Sequence, residues 1–130
     1  ILICEGYATG ASLHMATEKP VAVALDSGNL EPVAKALREK FPQAQITICA
    51  DNDHALKRNG KPYNVGMEKA KAAALAVGGK VAAPVFNEEE KAKGLTDFND
   101  LHKSRGIKEV QKQVGLSLLH DQGKTRELSL

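Results

Sequence analysis

Four short apolar runs limit what this chain can become: Ile1 to Glu5, Val21 to Leu25, the run that starts at Ile46, and Lys80 to Val85. They are rich in Val, Ile and Ala, and a stretch long enough for a helix separates each from the next. Parallel neighbours cannot be joined by a tight hairpin and need a crossover, usually helical. The alternation therefore predicts an α/β fold built on a parallel sheet.

The intervening segments carry helix signals. Gly6 to Gly10 reads as a flexible turn, and Ala11 to Thr17 as a short helix with Leu13 and Ala16 inward, broken by Lys19-Pro20. Asn29 is a suitable N-cap for a helix over Leu30 to Phe41, with Pro32 in its first turn and Val33, Leu37 and Phe41 on one stripe. Asn64 can cap a helix over Val65 to Val77, closed by Gly78-Gly79. Thr96 or Asp97 caps Phe98 to about Ser104, and Ile107, Val110 and Val114 mark a last helix. Pro84 hints that the fourth strand lies at an edge. The run Glu88-Glu89-Glu90, Lys91, Lys93 reads as solvated and carries no assigned function. After Gly115 the pattern weakens.

With 130 residues, 42% hydrophobic and 26% charged, the chain has the size and balance of one ordinary globular domain. No run approaches a membrane span, so no membrane partner is expected. A net charge of +2 and an aromatic content of 4% do not by themselves predict nucleic-acid binding. Cys4 and Cys49 sit inside predicted strands without Cys-x-x-Cys spacing, which suits buried, reduced thiols and a cytoplasmic location. The four His residues are scattered, and no zinc site is expected. Ile1 opens directly inside an apolar run, as in a piece cut from a longer protein.

The third run ends in Asp51-Asn52-Asp53. In an extended chain residues i and i+2 share a side, so Asp51 and Asp53 point together. Two carboxylates roughly 5 Å apart repel by about 3 kcal/mol at an effective dielectric near 20. A shared proton, a basic side chain or a divalent cation must offset that, and an oxygen-only set suits Mg²⁺ or Mn²⁺. The competing reading is an Asx-turn or a helix cap. Ligand sites in open α/β sheets form beyond the carboxyl ends of strands where strand order reverses. If the order is 2-1-3-4, Glu5 at the end of the first strand meets Asp51 and Asp53 in one crevice. Between His54 and Asn64 lies a segment without apolar periodicity, holding Lys57, Arg58 and Lys61 around an Asn59-Gly60 turn. It suits phosphate contacts, or is an ordinary solvated loop.

Glu5-Gly6 after a first strand, Asp51-Asn52-Asp53 after a third, and the order between them resemble the Toprim domain of bacterial-type primases, topoisomerases and some nucleases. Ala24 to Leu30 and Thr96-Asp97-Phe98-Asn99-Asp100-Leu101 look most like plasmid-type and phage-type DNA primases. The resemblance covers roughly residues 1–105, leaving 106–130 as a C-terminal helix and tail. It implies a Rossmann-like three-layer α/β/α fold with a four-stranded, mainly parallel sheet. It further implies metal-dependent nucleotidyl transfer that makes RNA primers from nucleoside triphosphates on single-stranded DNA. Glu5 would match the family's acid/base or metal-contacting glutamate, Asp51 and Asp53 its metal pair, and Asp97 a further acidic position, with Mg²⁺ or Mn²⁺ as cofactor. A helicase, or an upstream zinc-binding or basic domain, would be partners. Asp97 as a plain N-cap is the alternative. Two rival functions stand beside the primase: a topoisomerase or nuclease centre on the same fold, and a non-catalytic regulatory module.

Overall fold

The computed structural model describes residues 1–54 and 57–129, with side chains described at all of these but 57, 58, 62 and 119–129. In chain order the elements are β1 (Leu2–Cys4), α1 (Tyr7–Thr17), β2 (Val21–Val23), a 3₁₀ turn (Ser27–Asn29), α2 (Leu30–Lys40), β3 (Thr47–Cys49), β4 (Lys57–Arg58), β5 (Lys61–Pro62), α3 (Val65–Val77), β6 (Lys80–Ala82), α4 (Glu88–Ala92), α5 (Phe98–Arg105) and α6 (Ile107–Ser129).

β2, β1, β3 and β6 form one sheet in that order, every neighbouring pair parallel. This is the expected 2-1-3-4 arrangement, since β6 is the fourth strand of the sheet. β6 lies at an edge, as Pro84 suggested. The register is in step across the sheet, with Cys4 opposite both Val23 and Cys49, and Cys49 opposite Ala82. The ladder extends slightly past the strand ends, because Ala24 N–H donates to Cys4 O at 2.8 Å and Ala50 N–H to Ala82 O at 2.7 Å.

Alternation along such short strands sends neighbouring residues to opposite faces. Leu2, Cys4, Cys49 and Ala82 pack with Leu13, Phe98, Leu101, Val110 and Val114, beneath α1, α5 and α6. Ile3, Ile48 and Ile46 pack with Leu30, Ala34, Ala70, Ala73 and Ala74, beneath α2 and α3. The result is three layers, α/β/α. Among the described residues no helix is long and apolar enough to cross a membrane.

Four local expectations need correction. Gly6 to Gly10 is not a flexible turn: helix α1 begins at Tyr7. Gly10 lies inside it because a Cβ there would stand 2.7 Å from Val23 Cγ2, so the glycine permits close packing on β2. On α2 the fully buried residues are Leu30 and Ala34; Val33 and Leu37 are only partly covered and Phe41 is exposed. Asn29 precedes α2 without a side-chain cap and instead donates its Nδ2–H to Ala24 O at 3.1 Å.

The solvated acidic run is also a helix, α4. Asn87 and Glu90 form a reciprocal capping box at its start, and Glu90 is buried. There Glu90 accepts from Ser104 Oγ at 2.6 Å and pairs with the Arg105 guanidinium. The arginine and the short hydrogen bonds hold the Glu90 carboxyl down at about 2.

Candidate functional site

The site begins where β1 and β3 end side by side. Cys4 and Cys49 are register partners, so Glu5 and Asp51 emerge from adjacent strands at the carboxyl edge of the sheet. The loop after β3 is pinned by Asn52. Its N–H donates to Thr96 O at 2.7 Å, its Nδ2–H to Pro84 O at 3.0 Å, and its Oδ1 accepts from Asn64 Nδ2 at 2.7 Å. His54 Nε2 adds a contact to Leu95 O at 2.7 Å. These bonds draw the segment before α5, and with it Asp97, to the end of the sheet.

Asp53 is tied to the start of α3. Its N–H donates to Asn64 Oδ1 at 2.9 Å, and its Oδ2 accepts from Gly66 N–H at 2.8 Å. Asn64 caps the helix as expected, accepting from Met67 N–H at 3.2 Å. A carboxylate at a helix N-terminus is favoured by the free N–H groups and the helix dipole. Gly66 is required by space here. A Cβ would meet Asp51 O at 2.5 Å and Asp53 Oδ2 at 2.8 Å.

Asp97 is the N-cap of α5. It accepts from Asp100 N–H at 2.7 Å, while Asp100 Oδ2 accepts from Thr96 N–H at 2.9 Å and Asp97 N–H at 3.3 Å. The plain capping role is thus present, yet Asp97 also stands within electrostatic reach of Asp51 and Cys4. Thr9, buried on α1, hydrogen-bonds the Asp97 carboxylate. Burial raises the pKa of Asp97 above the ordinary value. Asp100 spends its side chain on backbone N–H groups.

The four acids act on one another most strongly at Asp51. Burial pushes its carboxyl up to about 8, helped by the charge and hydrogen-bonding contact of Glu5 and by the charges of Asp97 and Asp53. Asp51 Oδ1 is buried and, among the described residues, is the buried side-chain oxygen or nitrogen without a hydrogen-bond partner. Burial first, then the charges of Asp51, Asp97 and Glu5, lift the Cys4 thiol to about 12. Both cysteines are free and buried.

Such an orphaned oxygen, in an all-oxygen donor set with excess negative charge, fits a hard divalent cation. Among the described residues no three His, Cys, Asp or Glu side chains are grouped closely enough to cage a metal by themselves. Mg²⁺ does not need such a cage. It is commonly held by one or two carboxylates, with water and phosphate oxygens completing the octahedron.

The basic segment folds as a hairpin, β4 pairing antiparallel with β5. Asn59 at φ 53° and Gly60 at φ 76° form the expected turn, both left-handed as a two-residue hairpin prefers. Lys61 is exposed on it; the side chains of Lys57 and Arg58 lie outside the described ones.

One strained residue also borders the site. Leu25 sits at φ 74° with its side chain 77% exposed, and its N–H donates to Glu5 O at 2.7 Å. A bulky residue in that region costs about 1–3 kcal/mol. Thr9, Gly66 and Leu25 carry no sequence pattern that marks them. Each is defined by a contact made only in three dimensions.

A parallel 2-1-3-4 sheet with a glutamate ending the first strand and Asp-x-Asp ending the third defines a class. The Toprim domain family profile matches residues 1–108, and the chain belongs to that family. It is homologous to DNA primase TraC. One Escherichia coli protein of that name is 48% identical over 91 residues, which cover 69% of this chain and 6% of that protein. A second Escherichia coli protein of the same name is 42% identical over 92 residues, covering 71% of this chain and 9% of that protein. The chain therefore spans less than a tenth of the length of either relative. No solved structure matches it.

Proposed function

We propose that this chain is the metal-dependent nucleotidyl-transfer centre of a DNA primase, making RNA primers on single-stranded DNA from nucleoside triphosphates. The observation that carries the reading is the buried, unpartnered Asp51 Oδ1 surrounded by Glu5, Asp53 and Asp97. Asp51 and Asp53 would hold Mg²⁺ or Mn²⁺, with Glu5 and Asp97 as further oxygen donors. The cation would supply charge neutralisation for the triphosphate and a more acidic 3′-hydroxyl.

The protein's own groups do the rest. Glu5, in contact with Asp51, would take the proton of the attacking hydroxyl. The start of α3 fixes Asp53, and the α5 capping box fixes Asp97. Lys57, Arg58 and Lys61 on the hairpin would contact template or triphosphate phosphates. Residues 1–105 would carry the chemistry and 106–130 support it, in a cytoplasmic protein that works with a helicase or with an upstream zinc-binding or basic domain.

Primer synthesis by the intact polypeptide, with a single-stranded DNA template, four ribonucleoside triphosphates and Mg²⁺, is the test. Asp51→Ala should reduce it at least a hundredfold. Wild-type synthesis by that variant would refute the assignment. DNA cleavage without nucleotides, equally lost on Asp51→Ala, would instead support the topoisomerase or nuclease reading.

A further inference from the structure

We propose that Tyr7 and Leu25, which flank Glu5, form a platform for one unpaired nucleobase beside the acidic centre. The inference rests on the nucleotidyl-transfer reading above and adds to it a part that grips the base rather than the phosphates.

Two observations made apart from the acids converge here. The first is the backbone at Leu25. A left-handed residue in a turn is usually Gly or Asn, and the turn here is fixed from several sides. The Leu25 N–H is held by Glu5 O, the Ala24 carbonyl by Asn29 Nδ2, and the next residue, Asp26, caps the 3₁₀ turn through Gly28 N–H at 3.1 Å. Glycine would satisfy this geometry without strain. Leucine bears the strain and leaves its side chain 77% exposed, so packing within the domain does not account for it. Single exposed apolar side chains are ordinary; an exposed one at a strained position is not, and strain of this kind collects at ligand-gripping positions.

The second observation is Tyr7. It is 78% exposed and opens α1 only two residues after Glu5. Tyr7 also lines a cavity of about 310 Å³ between α1 and β2, with Gly10, His14, Pro20, Val21 and Val23 among its walls. Leu25, two residues past the end of β2, is held against Glu5 by its N–H, and Asp51 follows β3 on the opposite side of β1. The separation is about two strand spacings, roughly 10 Å, the scale of one nucleotide from base to phosphates. A base against Tyr7 and Leu25 would leave its phosphates directed at Asp51 and Asp53. Aromatic stacking tolerates any base, so the platform would hold without selecting sequence.

The base could belong to an incoming nucleotide or to the template, and the experiment separates the two. Binding of a non-hydrolysable ribonucleoside triphosphate with Mn²⁺, of inorganic tripolyphosphate with Mn²⁺, and of a 2-aminopurine-labelled single-stranded oligodeoxynucleotide is measured on the chain and on Tyr7→Ala, Tyr7→Phe and Leu25→Gly. Tyr7→Ala and Leu25→Gly should weaken the nucleotide, the oligonucleotide or both by about tenfold. They should leave tripolyphosphate within twofold, and Tyr7→Phe should bind like wild type. Leu25→Gly should at the same time raise Tm by about 3–5 °C by relieving the strain, so its loss of binding cannot come from a damaged fold.

Unchanged nucleotide and oligonucleotide binding in both variants would overturn the platform while leaving the metal centre intact. So would an equal loss of tripolyphosphate, or a wild-type chain that binds neither nucleotide nor oligonucleotide. Failure of Mn²⁺ alone to bind wild type, read by electron paramagnetic resonance, would count against the metal centre. The oligonucleotide arm would still decide the platform.

Discussion

Replacing Asp51 with asparagine keeps the shape of the neutral acid while removing its ability to ionise, and should stabilise the metal-free chain. The carboxyl is raised from 3.8 to about 8 by burial, by Glu5 and by the other acids. A group whose folded pKa lies above its unfolded value contributes fully below the unfolded pKa and loses that contribution as pH rises through the folded one. The folded chain therefore retains a proton between pH 3.8 and about 8 that the unfolded chain has released. Over that span the complete linkage would be about 5–6 kcal/mol. The carboxyl is partly open to water, whose screening reduces the expected penalty to about 2 kcal/mol, or about 6–10 °C in Tm for a domain of this size. Thermal unfolding followed by circular dichroism in a chelator should show Asp51→Asn near wild type at about pH 4.5 and well above it at about pH 8.5. Excess Mg²⁺ should raise the wild-type Tm at the higher pH and leave the variant unmoved. A gap that does not grow with pH would refute the electrostatic reasoning.

Three other outcomes follow from the geometry. Gly66→Ala should lose about 1–3 kcal/mol through overpacking against Asp51 O and Asp53 Oδ2, despite alanine's better helix propensity, and weaken Mn²⁺ binding measured by calorimetry. Glu90→Gln should lower Tm at neutral pH. Because the Glu90 carboxyl is depressed from 4.5 to about 2, its stabilisation is present above the unfolded pKa, and the gap between variant and wild type should close as pH falls through that window in an acid titration. Cys4, lifted to about 12, and the buried Cys49 should resist a disulfide thiol reagent at about pH 8 in the native chain, and both should react once it is denatured.

The strand order was legible because each run is short, β-branched and bounded by breakers. The crossovers then leave few ways to connect four parallel strands. Glu5 and Asp51 were legible for the same reason: a strand's final residue has a known place once its neighbour is known. Asn64, Asp97 and Gly78 followed from cap chemistry that is local in sequence. The failures have the opposite character. Gly10 reads as a breaker and lies in a helix because α1 approaches β2 closely. Glu90 sits in a run of like charges, and only the fold brings Ser104 and Arg105 from fourteen and fifteen residues away to cover it. Leu25 gives no signal, since a hydrophobic residue after a strand is ordinary until its φ is known.

The acids draw their support from both sides of the sheet. Asp53 is steadied by α3 in one helical layer, Asp97 by α1 and α5 in the other, and Glu5 and Asp51 follow the ends of β1 and β3. A void opened far below, at Ala73 on one side or Leu101 on the other, would tilt one bracket and leave the opposite one in place. The affinity for a divalent ion then becomes a sensitive gauge of how well both hydrophobic halves are assembled. Damage to either half should register at the strand ends before the domain as a whole comes apart.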